Sequence, residues 1–228
     1  MIRALPFLLA LTSPAVAAER TLSVTDFDRV RVEGNYTVEV RESRAASARV
    51  SGSALAIGRT RVEVQDRTLI IRPDISGWGG YPGEQPGPVR VRLTTPLLRA
   101  IWVSGSGSLT ADRMRTREAS LTLDGSGRVA VTRIESDDAD LWLSGAGEII
   151  AGGATKNARV TARGGGSVDA ATLKSNDAKI VAEGAGGVTL AVTRAVDVVA
   201  TGTGTVTIVG TPACTVKNSG TGSVACGR

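Results

Sequence analysis

Histidine is absent from all 228 residues, aromatic residues make up 3% of them, and there are only two cysteines. The first absence removes the commonest general base and metal ligand, so any acid–base or metal chemistry would fall to carboxylates. The second leaves few rings to stack on nucleic-acid bases. The net charge of +5, which includes Arg3, comes from basic residues interleaved with acidic ones, so no nucleic-acid partner is expected. The one long apolar run, Ala4 to Leu11, is too short for a permanent bilayer span, and no integral membrane segment is expected. With Arg3 before it and Ala15-Val16-Ala17-Ala18 behind it, residues 1–18 read as a signal peptide. No cysteine stands at the cleavage region to take a lipid. Residues 19–228 are therefore expected to form one exported domain, in the periplasm or outside the cell of a bacterium.

What the chain has in abundance is glycine, and it recurs on a period. Gly-x-Gly pairs begin at Gly105, Gly125, Gly145, Gly164, Gly184, Gly202 and Gly220, in steps of 20, 20, 19, 20, 18 and 18 residues. That is a solenoid rhythm. Six, four and two places before the first glycine stand apolar residues in nearly every copy, as in Ala119, Leu121, Leu123 and Ala139, Leu141, Leu143. The alternation resumes after the turn with Leu109, Val129, Ile149, Val168, Val188, Val206 and Val224. A period of two means strand on both sides of the glycines. A third apolar site follows eight or nine places after the first glycine, at Met114, Ile134, Ala154, Leu173 and Val192. Three short sides per coil predict an all-β fold, a right-handed parallel β-helix with coils of about 18–20 residues. A phosphate-binding reading of Gly-x-Gly is set aside, because here the glycines join strand to strand rather than strand to helix.

Within residues 24–98 the pattern is less regular. Val30 and Val32 before Gly34, with Val38 and Val40 after it, predict a first coil. Strands are also expected around Ala48–Val50, Arg61–Val64 and Thr68–Ile71, and this end should cap the solenoid. Residues 73–88 are rich in proline and glycine, which predicts a loop; the regular coils run from 99 to 228. Cys214 and Cys226 fall at inward positions of the last coil, six places either side of Gly220, and are expected to form a disulfide worth about 3 kcal/mol in the chain-entropy model. Their spacing fits no common metal set, and neither metal nor cofactor is expected.

Val32-Glu33-Gly34-Asn35-Tyr36-Thr37-Val38-Glu39-Val40, the Val89–Leu93 strand and above all Val103-Ser104-Gly105-Ser106-Gly107 resemble the putative auto-transporter adhesin, head GIN domain family. The resemblance covers nearly the whole mature chain. It implies a β-helical, envelope-associated bacterial protein and conveys no catalytic residues.

Candidate binding residues lie on the outward columns. Three places before the glycines, successive coils present Trp102, Thr122, Trp142, Thr161, Val181, Val199 and Lys217, so two tryptophans should point outward about 10 Å apart. Such a pair suits stacking on sugar rings or gripping a partner strand; alternatively Trp78 and Tyr81, in the 73–88 loop, fold over the stripe and bury it. Opposite charges one coil apart, Asp140 with Arg159, Lys179 with Asp197, Arg163 with Glu183 and Arg128 with Glu148, should form ladders that set register. Asp137-Asp138 is expected at a solvated corner. The reading preferred is a non-catalytic envelope or adhesin-like module that binds a glycan or protein partner. The alternatives are a polysaccharide-active enzyme, which needs carboxylates gathered under the 73–88 loop, and a structural protein that stacks end to end.

Overall fold

The computed structural model describes residues 18–74 and 87–227. Most of the predicted signal peptide and of the 73–88 loop lies outside those residues. In chain order the elements are β1 (Ala18–Leu22), β2 (Arg29–Glu33), β3 (Tyr36–Glu42), β4 (Ser47–Gly52), α1 (Ala54–Gly58), β5 (Thr60–Gln65), β6 (Thr68–Pro73), β7 (Val89–Thr95), β8 (Ala100–Gly105) and β9 (Ser108–Arg115). They continue with β10 (Glu118–Gly125), β11 (Arg128–Gly145), β12 (Glu148–Gly164), β13 (Ser167–Gly184), β14 (Gly187–Gly202), β15 (Thr205–Val209), β16 (Ala213–Asn218) and β17 (Ser223–Cys226). The fold is all-β, a parallel β-solenoid of about six turns. Alternation sends every second side chain inward. Leu121, Leu141, Val160, Ile180 and Val198 thus meet in register from five successive turns and are 0–1% exposed.

The bends stack as closely as the strands do. Gly125 has φ +126°, and a Cβ there would sit 2.4 Å from the carbonyl oxygen of Gly105. That carbonyl accepts the N–H groups of Ser126 and Gly127, each at 3.0 Å, so the hydrogen-bond ladder passes through the turn. Glycine is dictated both by backbone conformation and by close approach.

The third inward column holds Met114, Ile134, Leu173 and Val192, all 0–1% exposed. Ala154 does not join it: the residue is exposed, and Gly153 stands opposite both Ile134 and Leu173. The coil from Gly145 to Gly164 is one residue shorter than its two neighbours, which moves the column back one place. A Cβ on Gly153 would meet the Ile134 carbonyl oxygen at 2.1 Å. At the corner beyond, buried Thr155 and Ser175 hydrogen-bond to the carbonyls of Asn157 and Asp177, so their hydroxyls are satisfied without water.

At the N-terminal end the spatial order departs from the chain order. The predicted first coil, β2 and β3 around Gly34, packs on β8 and β9, while β6 and β7 lie on its other side. Alternation tells which side chains face inward but not which rung is adjacent, so the stacking order of these strands is not legible in the sequence. The segment between β3 and β6 forms the cap. In it β4 runs antiparallel to β7 and β1, and β5 runs antiparallel to β6. The β5–β6 turn uses Asp66 and Arg67 at φ 47° and 61°, as a two-residue hairpin of matching twist requires. Short helix α1, capped by the Ser53 side chain, buries Ala56 and Ile57.

At the other end β16 and β17 stack on β14 and β15. Cys214 lies opposite Val196 and Cys226 opposite Ile208, on the inward columns as expected, and the two are disulfide-bonded. No described rung lies beyond them. Cys214 is therefore exposed and Cys226 half-buried, and the bond spans the open end of the core.

Candidate functional site

The strands that precede the glycine turns form one flat face, and its outward column carries the two tryptophans. Trp102 stands between Arg31 and Thr122 on neighbouring rungs, and Trp142 between Thr122 and Thr161. They are 42% and 37% exposed, and two rungs separate them, about 10 Å. Each indole is flanked by an arginine. The Arg31 guanidinium lies 4.0 Å from the Trp102 ring centroid, and that of Arg163 lies 5.0 Å from the Trp142 centroid. Glu33 forms an ion pair with Arg31 at 2.7 Å, and the Arg163 Nε–H donates to Glu183 at 2.9 Å. Cation–π contacts of this exposed kind contribute about 0.5–1 kcal/mol each. The two tryptophans are thus braced in place at the surface, with Thr122 between them.

Beside this column, where the third side meets the face, a groove of about 600 Å³ runs across four rungs. Alanines 119, 139, 158 and 178 line it between two polar columns, Glu118, Asp138, Asn157 and Asp177 on one side and Ser120, Asp140, Arg159 and Lys179 on the other. Asp140 and Trp142 alternate on one strand, so the groove and the aromatic column share a face. The Asp138 carboxylate accepts from Asn157 Nδ2 at 2.9 Å, and Asp177 is paired with Arg194. Burial at the groove wall raises the Asp140 carboxyl above its ordinary range, with the Arg159 charge opposing the shift.

The expected charge ladders close in part. Arg128 meets Glu148 at 2.8 Å and Arg163 meets Glu183 at 2.9 Å. Asp140 with Arg159 and Lys179 with Asp197 are in register without closing to an ion pair. Asp137 and Asp138 sit within the continuous strand β11 rather than in a solvated turn; both N–H groups bond to the Arg117 carbonyl at 3.0 Å. Their side chains part company, Asp137 to Lys156 at 2.7 Å and Asp138 to the groove.

Residues 26–212 match the sequence profile of the putative auto-transporter adhesin, head GIN domain. The chain belongs to that family. Among solved structures, this head GIN domain is similar to a putative adhesin from Bacteroides fragilis, with TM-score 0.81 and 18% identity over 92% of this chain and 96% of that one. It is also similar to a protein from Parabacteroides distasonis described as a putative lipid binding protein, with TM-score 0.73 and 19% identity over 94% of this chain and 98% of that one. A putative adhesin from Parabacteroides merdae matches at TM-score 0.68 and 17% identity, over 94% and 98% of the two chains. At these identities the likeness concerns the fold. No curated protein matches the head GIN domain chain.

Trp78 and Tyr81, the other two candidate binding residues, lie outside the described residues of this head GIN domain. The cleft that flanks their loop, about 500 Å³ in volume, has Tyr36, Arg59 and Asp74 in its lining, and Asp74 is the one carboxylate among the described lining residues. Among the described residues no group of three or more His, Cys, Asp or Glu is placed to hold a metal ion, and no helix is long and apolar enough to cross a membrane. Sequence reasoning missed Arg31 over Trp102, because the contact joins segments about seventy residues apart. It also missed the groove, which depends on the angle between two sides of the coil. The alanines at 119, 139, 158 and 178, six places before four successive glycines, were the available signal.

Proposed function

We propose that this head GIN domain is an exported, non-catalytic, adhesin-like envelope module that binds a glycan through the Trp102 and Trp142 face. The observation that carries the reading is the pair of exposed indoles, two rungs apart and each braced by an arginine that a glutamate holds in turn. Exposed large aromatics are retained at a surface where they meet something, and a rigid parallel sheet presents them at a repeat suited to a linear polymer. The disulfide at the open end and the N-terminal apolar run support export to an oxidising compartment. A non-catalytic role is favoured because the family is described as one of adhesins and two of the groove's carboxylates are already engaged, Asp138 by Asn157 and Asp177 by Arg194.

The test is co-sedimentation of the disulfide-bonded protein with isolated cell-envelope and polysaccharide fractions, beside Trp102→Ala and Trp142→Ala variants. Each substitution is expected to weaken retention by roughly three- to tenfold. Retention that is equal in all three proteins, or release of soluble sugar during the assay, would sink the reading.

A further inference from the structure

Elsewhere on the solenoid, charges in neighbouring rungs close on one another: Arg115 on Glu135 at 3.0 Å, Arg128 on Glu148 at 2.8 Å, Lys156 on Asp137 at 2.7 Å. In the groove five charges do not. Glu118, Asp138, Asp140, Arg159 and Lys179 all line it, and none closes an ion pair among the described residues, although Asp140 and Arg159 are register partners. They are also sorted along the axis. Glu118, Asp138 and Asp140 occupy the first two rungs of the groove, Arg159 and Lys179 the next two. The groove therefore has an acidic half and a basic half, with centres about two rungs, or roughly 10 Å, apart.

A ligand lying along this groove crosses the strands, whose N–H and C=O groups are already committed to the ladder. An extended peptide placed there would bury its amide groups without partners, which is unfavourable. A saccharide brings hydroxyls that carboxylate, amide and guanidinium side chains can meet. Four rungs accommodate about three sugar residues.

We propose that the groove is a subsite for a zwitterionic glycan segment, with an ammonium on one residue held by Glu118 and Asp140 and an acidic group on the next held by Arg159 and Lys179. The inference rests on the reading that this face takes a glycan, and it adds the class. The burial that raises the Asp140 carboxyl is offset when a cation joins it.

The probe is a heparosan tetrasaccharide, in which glucuronic acid alternates with glucosamine, prepared in N-acetylated and N-deacetylated forms and titrated calorimetrically into the full disulfide-bonded chain. The deacetylated form, which alone carries both charges, is expected to bind about tenfold more tightly than the acetylated one. The double variant Glu118→Gln, Asp140→Asn should erase that preference while Asp140→Glu keeps it, and Lys179→Gln should weaken both forms. Equal affinity for the two forms, no binding of either, or a preference that survives the double variant overturns the proposal. An amine preference that is unchanged in Trp102→Ala and Trp142→Ala sustains the groove and removes the tryptophans from the glycan reading. Tryptophan-dependent retention on envelope fractions with no amine preference does the reverse.

Discussion

Gly125 and Gly165 belong to the same kind of turn and answer to different constraints. At Gly125 an added Cβ would be driven to 2.4 Å from a backbone carbonyl oxygen, whereas at Gly165 it would meet nothing within 4 Å. Gly125→Ala is therefore expected to destabilise by about 3 kcal/mol or more, and Gly165→Ala to stay within about 0.5 kcal/mol of the parent. Chemical denaturation of both variants checks the pair; equal losses would refute the close-approach argument. Asp140 makes a pH-dependent prediction of opposite sense. Its carboxyl is raised chiefly by burial, with Arg159 opposing, so folding penalises the anion. The penalty is absent below the ordinary aspartate range, where both states are protonated, and complete above the raised value. Asp140→Asn should thus melt slightly above the parent at neutral pH and together with it near about pH 3, and a variant that melts lower at neutral pH contradicts this. At this scale the sequence was readable wherever a column repeats: the period alone put Trp102 and Trp142 outward. It was not readable for Asp28, which is 3% exposed and approached by Arg29, Arg67 and Arg99 at 3.8, 3.3 and 3.9 Å, because Arg67 and Arg99 come from segments about forty and seventy residues away.

Elements divide in the same way. The regular coils from β8 onward were legible because each repeats the turn chemistry and the two-residue alternation of the last. The cap was not: α1 is five residues long, too short to show a helical period, and β4 and β5 alternate like any other strand while running antiparallel. Asp28 joins this cap to the solenoid, its N–H bonding to the Arg67 carbonyl at 3.0 Å and its own carbonyl accepting from Arg99 at 2.7 Å. Arg29, Arg67 and Arg99 are themselves 52%, 64% and 44% exposed, so they stay solvated without the carboxylate, and Asp28 Oδ1 is buried with no hydrogen bond. Asp28→Ala is therefore expected to destabilise by less than about 1 kcal/mol in urea or thermal unfolding, and a loss above about 2 kcal/mol would show that the carboxylate rather than the backbone bonds holds the junction.

The whole molecule is quasi-one-dimensional, since each regular coil touches only the coils above and below it. Stability removed at one end should stay there. Reduction of the Cys214–Cys226 bond, or Cys214→Ser, is expected to speed amide exchange in β16 and β17, where every residue of β16 is exposed, and to leave the rungs around Leu121 and Leu141 unchanged. Uniform loss of protection along the rod would contradict the nearest-neighbour picture. The N-terminal stacking order sets a different rule for that end. Val30 sits between Leu69 and Ile101, so the rung made of β2 and β3 meets its first neighbour only about forty residues on and its second about seventy on, while Leu121 finds Leu141 only twenty residues on. A chain emerging from its N-terminus must complete that long closure before the first coil has both neighbours. After it, growth is by accretion, one short coil at a time on a finished template.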